Sequence, residues 1–440
     1  MIPEAVVYSM LISLIVLIIL GYPVAFVLGG IAAIFGLLFI GPQVVNIFML
    51  RIFGITADYV LIAIPLFVFM GVAIEKSGLA GRLYDAIYVL TGRLRGGLAL
   101  AAVITCTIFA AATGVVGAAV VSMGLLALPS MLRYKYDKSL ATGAICAGGT
   151  LGILIPPSVL ILVYAPLAGL SAGELLMAAF IPGFVLSALY AIYITVLCYF
   201  KPQLGPAMPA GALAEFTLQK KLRMFLTSVV PVSVLILAVL GSIFFGLAAP
   251  TEAAGIGAFA SLLLAAAYGQ LNFANLKEIA ERSVVISCMV YLVMIGASFF
   301  TTVFIHLGGG TMITNLVLGL PFPDWGITLA MFLIVFIMGA FIDWIGILMI
   351  VVPLFTPIAA ELGLNPIWFA MMVIVIMQTS FLTPPFAYSI FYLKGIAPPE
   401  VQTVDIYRGV IPFIVLQVIG VALLAIFPQL ILWLPSMMGR

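Results

Sequence analysis

The chain has 440 residues, of which 65% are hydrophobic and only 7% are charged, and its net charge is +2. Soluble domains carry about 25% charged residues, so this composition excludes a water-soluble globular protein. The few basic residues are scattered through short loops, which excludes a nucleic-acid-binding surface. Apolar stretches of about 20 residues recur along the whole chain and predict an all-α polytopic membrane protein.

Six apolar segments are predicted in each half of the chain. Those of the first half span 5–21, 22–40, 57–75, 98–130, 140–167 and 175–200. Those of the second half span 226–247, 250–269, 284–304, 326–358, 367–393 and 405–435. Two stretches of mixed polarity, 76–97 and 270–283, are expected at the cytoplasmic interface. The first of them fits either an amphipathic helix or an ordinary polar loop.

The two halves share the spacing of their prolines, which indicates an internal duplication. Prolines recur at an offset of 227 or 228 positions: Pro23 with Pro250, and Pro156-Pro157 with Pro384-Pro385. We therefore predict a first repeat at 1–205, a cytoplasmic linker at 206–225 and a second repeat at 226–440.

The segment 98–130 is the wrong length for a single membrane helix. Its 33 residues would extend about 50 Å as a helix, against a hydrocarbon core of about 30 Å. Thr113 and Gly114 lie at its centre, where a turn is needed, so a re-entrant hairpin is predicted. The equivalent hairpin at 326–358 would turn between Asp343 and Gly346. The fold expected is about 10–12 transmembrane helices plus two hairpins, although two full crossings in place of each hairpin would put the loops on the same sides.

The distribution of charge tests this topology. With re-entrant hairpins each half crosses the membrane five times, so the second repeat is inverted relative to the first. Fifteen basic residues then lie on one face, and only Arg51 and Arg440 lie on the other, together with both termini. By the positive-inside rule the fifteen face the cytoplasm and the termini face the periplasm.

The paired prolines predict a broken helix in each half, at 140–167 and 367–393. A proline frees the carbonyl four residues before it, here those of Gly152, Ile153, Ser380 and Phe381. A freed carbonyl in the bilayer centre needs a partner, and a hard cation could supply one. The half-helix N-termini would favour an anionic group of a substrate. Polar or flexible neighbours join Pro156, Pro157 and Pro384 as candidate site residues: Gly149, Thr150, Gln378, Thr379 and Thr383. A proline kink packed by neighbouring helices is the alternative.

Few acidic residues lie within the apolar segments. Asp343, at the predicted second tip, is a candidate site residue, or else it caps its own hairpin. Glu252 follows Pro250-Thr251 and is expected to stabilise a helix N-terminus. So few buried titratable groups favour sodium over a proton relay, with Thr113, Gly152, Ser380 and Thr383 as candidate sodium ligands.

Four motifs together resemble one family, the large membrane subunit (DctM type) of tripartite ATP-independent periplasmic (TRAP) transporters. They are Ile64–Gly71, Thr113–Ala119, Gly149–Ser158 and Pro250–Gly257. The resemblance covers essentially the whole chain. It implies an elevator-type sodium symporter of the bacterial inner membrane, with no cofactor besides the coupling ion. It also implies two partners, a small four-helix membrane subunit and a periplasmic substrate-binding protein, and an organic-acid cargo such as a dicarboxylate, a keto acid or a sialic acid.

The resemblance also implies where sodium binds. One site would join the first hairpin tip to the break at 149–158, and the other would join the second tip to the break at 378–385, with Ser298 and Thr301 contributing. Many members of the family have serines where this chain has Val115 and Val116. Thr113 and backbone oxygens are therefore the candidates that remain at the first tip.

Two rival functions remain open at this stage. A stand-alone carboxylate symporter or ion antiporter could share the hairpin architecture. An intramembrane enzyme or a structural membrane subunit is the other possibility. An enzyme would need clustered catalytic side chains, and the chain has a single histidine and no HExxH or P-loop motif. We therefore expect a transporter and not an enzyme.

Overall fold

The computed structural model describes residues 4–114, 116–209, 216–319, 321–384 and 387–438. Within these ranges every regular element is a helix, and there are no strands. Predictions that concern Val115, Pro385, Arg440 and the linker residues 210–215 lie outside the described residues.

The first half forms ten α-helices within the described residues. Their bounds are α1 Glu4–Ile19, α2 Val24–Phe39, α3 Val44–Thr56, α4 Ala63–Lys76, α5 Leu79–Thr91, α6 Gly97–Thr113, α7 Val116–Arg133, α8 Lys138–Thr150, α9 Val159–Ala168 and α10 Ala172–Phe200. Short 3-10 turns at Val60–Ile62 and Leu151–Ile153 precede α4 and follow α8.

The described part of the second half also forms ten α-helices. Their bounds are α11 Leu218–Phe244, α12 Pro250–Ala267, α13 Phe273–His306, α14 Gly309–Leu318, α15 Asp324–Gly339, α16 Trp344–Glu361, α17 Pro366–Ser380, α18 Tyr388–Ile396, α19 Thr403–Ile426 and α20 Gln429–Leu432. A 3-10 turn at Pro435–Met437 follows. The helices α6 to α9 thus correspond in order and length to α15 to α18.

Side-chain caps fix several helix starts at the residues that sequence patterns favour. Asp137, Ser171, Thr217 and Asn272 each accept a hydrogen bond from the backbone N–H three residues on, at the starts of α8, α10, α11 and α13. Glu252 accepts from the N–H of Ala249 at 2.9 Å. The expectation that Glu252 stabilises a helix N-terminus is therefore confirmed.

The two halves differ at α13, which is the counterpart in the second half of α3 and α4 in the first. In the first half the chain bends by 60° between Val44–Thr56 and Val60–Lys76. In the second half α13 runs unbroken for 34 residues, about 51 Å. All but the first three residues of 270–283 form the first turns of α13, and their position at the cytoplasmic interface stays a prediction. The helix α3 was not predicted at all.

One group of helices, which we call the scaffold bundle, crosses over between the halves. It consists of α1 to α4 and α11 to α13. In it α2 packs on α13, and the equivalent pair α12 and α4 packs in the same way. Glycines permit close approach, as is usual between membrane helices. A Cβ on Gly296 would lie only 2.4 Å from the carbonyl oxygen of Ala25. The two halves are therefore interlocked in space.

Ten of the remaining helices, α6 to α10 and α15 to α19, form a second group that we call the hairpin bundle. Within it α8 packs on α6, α7 and α19, and α17 packs on α15, α10 and α19. The helix α5 packs its apolar face on α6 and α11. The alternative that 76–97 is a polar loop is therefore wrong.

Seven helices among the described residues are long and apolar enough to cross a membrane, and the bent pair α3–α4 would make eight. Shorter apolar helices, such as the 16-residue α1 and α2, account for the larger number predicted from the sequence. The predicted linker ends too late, because α11 begins at Leu218. Near the start of the linker, the N–H of Met208 donates to the Gly92 carbonyl at 3.0 Å.

Candidate ion and substrate site

The first hairpin turns at the glycine that the sequence indicates. Gly114 ends α6 with a φ of +64°, a left-handed conformation that favours glycine. A Cβ on Gly114 would lie 2.5 Å from the carbonyl oxygen of Pro157, so the tip touches the first helix break. Thr113 is buried, and its hydroxyl donates to the Phe109 carbonyl at 3.0 Å. The depth of this tip in the bilayer stays a prediction.

The second hairpin turns between Gly339 and Trp344, slightly earlier than predicted. Asp343 caps α16, with its carboxylate accepting from the N–H of Ile345 at 3.4 Å. Gly346 does not form the turn, because it lies within the first turn of α16 and faces Val24 of the scaffold bundle.

The arm that ends at Gly339 lies against the second helix break. A Cβ on Gly339 would fall 1.7 Å from the Ser380 hydroxyl oxygen. Both hairpins therefore place one end of an arm against the broken helix of the same repeat.

Three of the four carbonyls expected to be freed by the prolines have protein donors. The Ser158 hydroxyl donates to the Ile153 carbonyl. The N–H of Thr383 donates to the Ser380 carbonyl at 3.2 Å, and the N–H of Ser389 donates to the Phe381 carbonyl at 3.2 Å. The breaks are thus partly satisfied by the chain itself, and a cation is not needed to satisfy these three oxygens. Gly152 lies buried in the 3-10 turn after α8.

The side chains of the second break offer a different kind of ligand. The hydroxyl of Ser380 is buried and has no hydrogen-bond partner among the described residues. The hydroxyls of Thr379 and Thr383 donate to the Ile376 and Thr379 carbonyls, at 2.6 and 2.8 Å, which leaves their oxygens able to accept. Pro384 is exposed. Ser380 is therefore the best-placed hydroxyl of this break for a cation.

The two broken helices meet directly. The side-chain N–H of Gln378 donates to the Thr150 hydroxyl at 3.2 Å, and both residues are fully buried. Gly149 packs on Val120 of the first hairpin. Two further buried polar residues lie nearby, because Tyr190 adjoins Thr150 and Gln417 adjoins Tyr190. The sequence prediction missed them, although a glutamine within an apolar helix is a signal that could have found Gln417.

A cavity of about 120 Å³, which we call the hairpin cavity, brings both tips and both breaks together. That volume is room for about four waters or a small solute. Its lining includes Gly114, Gly117, Ile153, Asp343, Trp344, Phe381, Tyr388 and Tyr392, with Ile286, Met289 and Val290 of α13 opposite. The three aromatic residues Trp344, Tyr388 and Tyr392 were not predicted. Asp343 is the one carboxylate in the described lining.

Ser298 and Thr301 lie outside the hairpin cavity. They line a second pocket of about 390 Å³ farther along α13, together with Arg51, Thr302 and His306. The hydroxyl of Thr301 donates to the Met349 carbonyl of α16 at 2.7 Å. The structure therefore does not bring these two residues to the tips and breaks with which they were grouped.

Comparison with known proteins gives consistent results over nearly the whole chain. Residues 11–430 match the family model described as "Tripartite ATP-independent periplasmic transporter, DctM component". The chain is 30% identical over 412 residues to the C4-dicarboxylate TRAP transporter large permease protein DctM of Pseudomonas aeruginosa, which covers 93% of this chain and 94% of the relative. It is 28% identical to the sialic acid TRAP transporter large permease protein SiaM of Vibrio cholerae, over 95% of each chain.

A solved structure shares the fold at low sequence identity. The YdaH transporter of Alcanivorax borkumensis, described as having an unusual topology, superposes with a TM-score of 0.63 and 15% identity, over 95% of this chain and 98% of that one. This similarity supports the all-helical fold and says nothing about function or substrate.

Proposed function

Because the chain belongs to the DctM family of tripartite ATP-independent periplasmic transporter components, we propose that it is the transporting subunit of a sodium-coupled importer of small organic acids. It is a multi-pass membrane permease and not an enzyme. In the proposal it works in the bacterial inner membrane, with both termini in the periplasm. A periplasmic binding protein delivers the substrate, and a small four-helix membrane subunit docks on the scaffold bundle.

The observation that carries the proposal is the hairpin cavity. It is lined by both hairpin tips, by both helix breaks and by α13 of the scaffold bundle. A site between two groups of helices can change its exposure when one group moves relative to the other. We propose that the hairpin bundle moves as an elevator against the scaffold bundle, and that 1–205 and 226–440 are inverted repeats.

Sodium is supported by the kind of atoms present. Asp343 contributes a carboxylate, and Ser380 a buried hydroxyl without a hydrogen-bond partner among the described residues. Oxygen ligands suit a hard cation. Together with Thr113, Gly152 and Thr383 they form the proposed ligand set, spread over both tips and both breaks. An organic-acid cargo is supported by the relatives, two of which are named for C4-dicarboxylates and for sialic acid.

Reconstitution tests the proposal directly. The chain, its small membrane partner and the loaded binding protein would be combined in proteoliposomes, and uptake of the labelled organic acid that the binding protein retains would be measured. We expect accumulation that needs an inward sodium gradient and both partners. Accumulation that is unchanged when choline replaces sodium would contradict sodium coupling. Accumulation by the chain alone would instead favour the stand-alone symporter.

Substitutions in the same uptake assay test which residues bind the sodium ion. Asp343→Asn and Thr383→Val should raise the sodium concentration needed for half-maximal uptake if these residues line the site. Unchanged sodium dependence in both variants would remove them from it. Glu361→Gln is a matched control, because Glu361 ends α16, the helix that Asp343 caps, and lies outside the hairpin cavity.

A further inference from the structure

The pocket at the C-terminal end of α13 has a positive character that the hairpin cavity lacks. We call it the arginine pocket. Its polar lining consists of Arg51, Ser298, Thr301, Thr302 and His306, and no carboxylate lines it within the described chain. Its volume is about 390 Å³. This is a recess with room for a small organic anion and with a cation at its wall.

Arg51 is available to a ligand. Among the described residues it forms no ion pair and no hydrogen bond, whereas Arg282 pairs with Glu75 and Glu278. From the distribution of charge, it is also the one basic residue of the described chain that is predicted on the periplasmic face. An unpaired guanidinium presents a fork of donors that matches a carboxylate.

The arginine pocket and the hairpin cavity lie along one side of α13. Ile286 and Val290 line the hairpin cavity, and Ser298 and Thr302 line the arginine pocket. Val290 of the hairpin cavity and Thr301 of the arginine pocket are eleven residues apart, about three helical turns, so these two positions share a helix face. Val290 and Ser298 are about 12 Å apart along the helix axis. The buried residues Met294 and Ala297 separate the two spaces.

The arginine pocket is also connected to the hairpin bundle. The Thr301 hydroxyl on α13 donates to the carbonyl of Met349 on α16, the second arm of the second hairpin. Met349 and Pro353 of the same arm line the pocket. A ligand held here would therefore touch both bundles.

We propose that the arginine pocket is an entry site that binds a carboxylate group of the substrate before the substrate reaches the hairpin cavity. Arg51 receives the carboxylate, the imidazole N–H of His306 and the Ser298 hydroxyl add donors, and the apolar wall of Leu167 and Met349 contacts the carbon chain. This proposal rests on the proposed transport function and adds the place at which this chain first recognises the acid.

Direct binding tests the pocket without transport. The purified chain would be titrated with succinate, and its thermal unfolding followed in detergent. Because a ligand that binds only the folded state stabilises it, we expect succinate to raise the melting temperature of the wild type and the neutral analogue succinamide to leave it unchanged. Arg51→Gln should reduce the shift at each succinate concentration, and Arg93→Gln, which alters an exposed arginine outside the pocket, should retain it in full. An equal shift in Arg51→Gln and the wild type would overturn the proposal.

Transport at saturating binding protein separates this role from docking. With the organic acid that the binding protein retains, Arg51→Gln should lower the maximal uptake rate by about ten-fold, since it removes a charge-assisted contact, and Arg51→Lys should restore part of it. If Arg51→Gln only raises the binding-protein concentration needed, the residue docks that protein and the proposal is wrong. If the wild type binds succinate but transports no organic acid, the proposed function is contradicted, whereas the carboxylate-binding pocket is still supported.

Discussion

Gln378 and Thr150 occupy equivalent positions in the two repeats, 228 residues apart, and they are hydrogen-bonded to each other at 3.2 Å. Each lies near the end of the helix that precedes its break. The contact joins the two broken helices at the centre of the hairpin bundle. A movement of one broken helix would therefore strain the other through this buried hydrogen bond, in addition to the packing around it.

Removing the Thr150 hydroxyl tests this contact. Thr150→Val keeps the shape of the side chain but leaves the Gln378 N–H without its acceptor, which should cost about 1–3 kcal/mol of stability. Thermal unfolding in detergent would show a lower melting temperature. Thr195→Val is the matched control, because the exposed Thr195 hydroxyl only donates to the carbonyl of its own helix four residues back. Equal melting temperatures for the two variants would contradict the role of the contact.

The close approach of Gly114 to the first break can be separated from its backbone conformation. Gly114→Ala adds both a left-handed strain of about 1–2 kcal/mol and a methyl 2.5 Å from the Pro157 carbonyl oxygen. Gly169 has nearly the same φ, +66°, but its Cβ would meet nothing within 4 Å. Gly169→Ala should therefore keep most of its uptake, whereas Gly114→Ala should lose at least about ten-fold by displacing the tip. Similar uptake in the two variants would show that the contact is unimportant.

The free hydroxyl of Ser380 predicts an effect on sodium without an effect on folding. Ser380→Ala removes an oxygen that bonds nothing in the described chain, so its melting temperature should stay near that of the wild type. The sodium concentration for half-maximal uptake should rise about five-fold or more, as expected for one lost ligand contact of roughly 1 kcal/mol. Ser261→Ala is a suitable control, because Ser261 is also buried but lies on α12 of the scaffold bundle. An unchanged sodium dependence would exclude Ser380 as a ligand.

The close packing of α2 on α13 in the scaffold bundle depends on Gly296. Gly296→Ala places a methyl 2.4 Å from the Ala25 carbonyl oxygen and must push α2 away from α13, which should lower the melting temperature. Gly241→Ala meets no atom within 4 Å in α11 and should be neutral or stabilising by about 0.5–1 kcal/mol. If Gly296→Ala were as stable as Gly241→Ala, the packing of the crossed helices would not depend on this approach.

Much of the architecture could be predicted from the positions of glycine and proline in the chain. The turn at Gly114 and the break between α8 and α9 follow from glycine and proline, whose backbone restrictions act locally. The similar order of helices in the two halves was expected from the proline spacing. The DctM-type resemblance, which carried the transporter prediction, is confirmed by the family match.

Other features depend on tertiary contacts and could not be predicted. Whether a freed carbonyl finds a donor depends on a nearby side chain, as the Ser158 contact to Ile153 shows. The grouping of Ser298 with the hairpin tips did not match the structure, because a helix of 34 residues reaches two separate pockets. The helix α3 went unpredicted because its polar residues and its bend at Asp58 weaken the apolar pattern.

The inverted arrangement of the two repeats is tested most directly by cysteine labelling from outside intact cells. Single cysteines would replace Lys135, Arg408 and His306, all exposed, in a chain whose exposed native Cys288 is changed to serine. A membrane-impermeant maleimide should label the cysteine at 306 and should reach those at 135 and 408 only after the cells are opened. Labelling of 135 and 408 on opposite faces of the membrane would contradict the inverted topology and with it the elevator proposal.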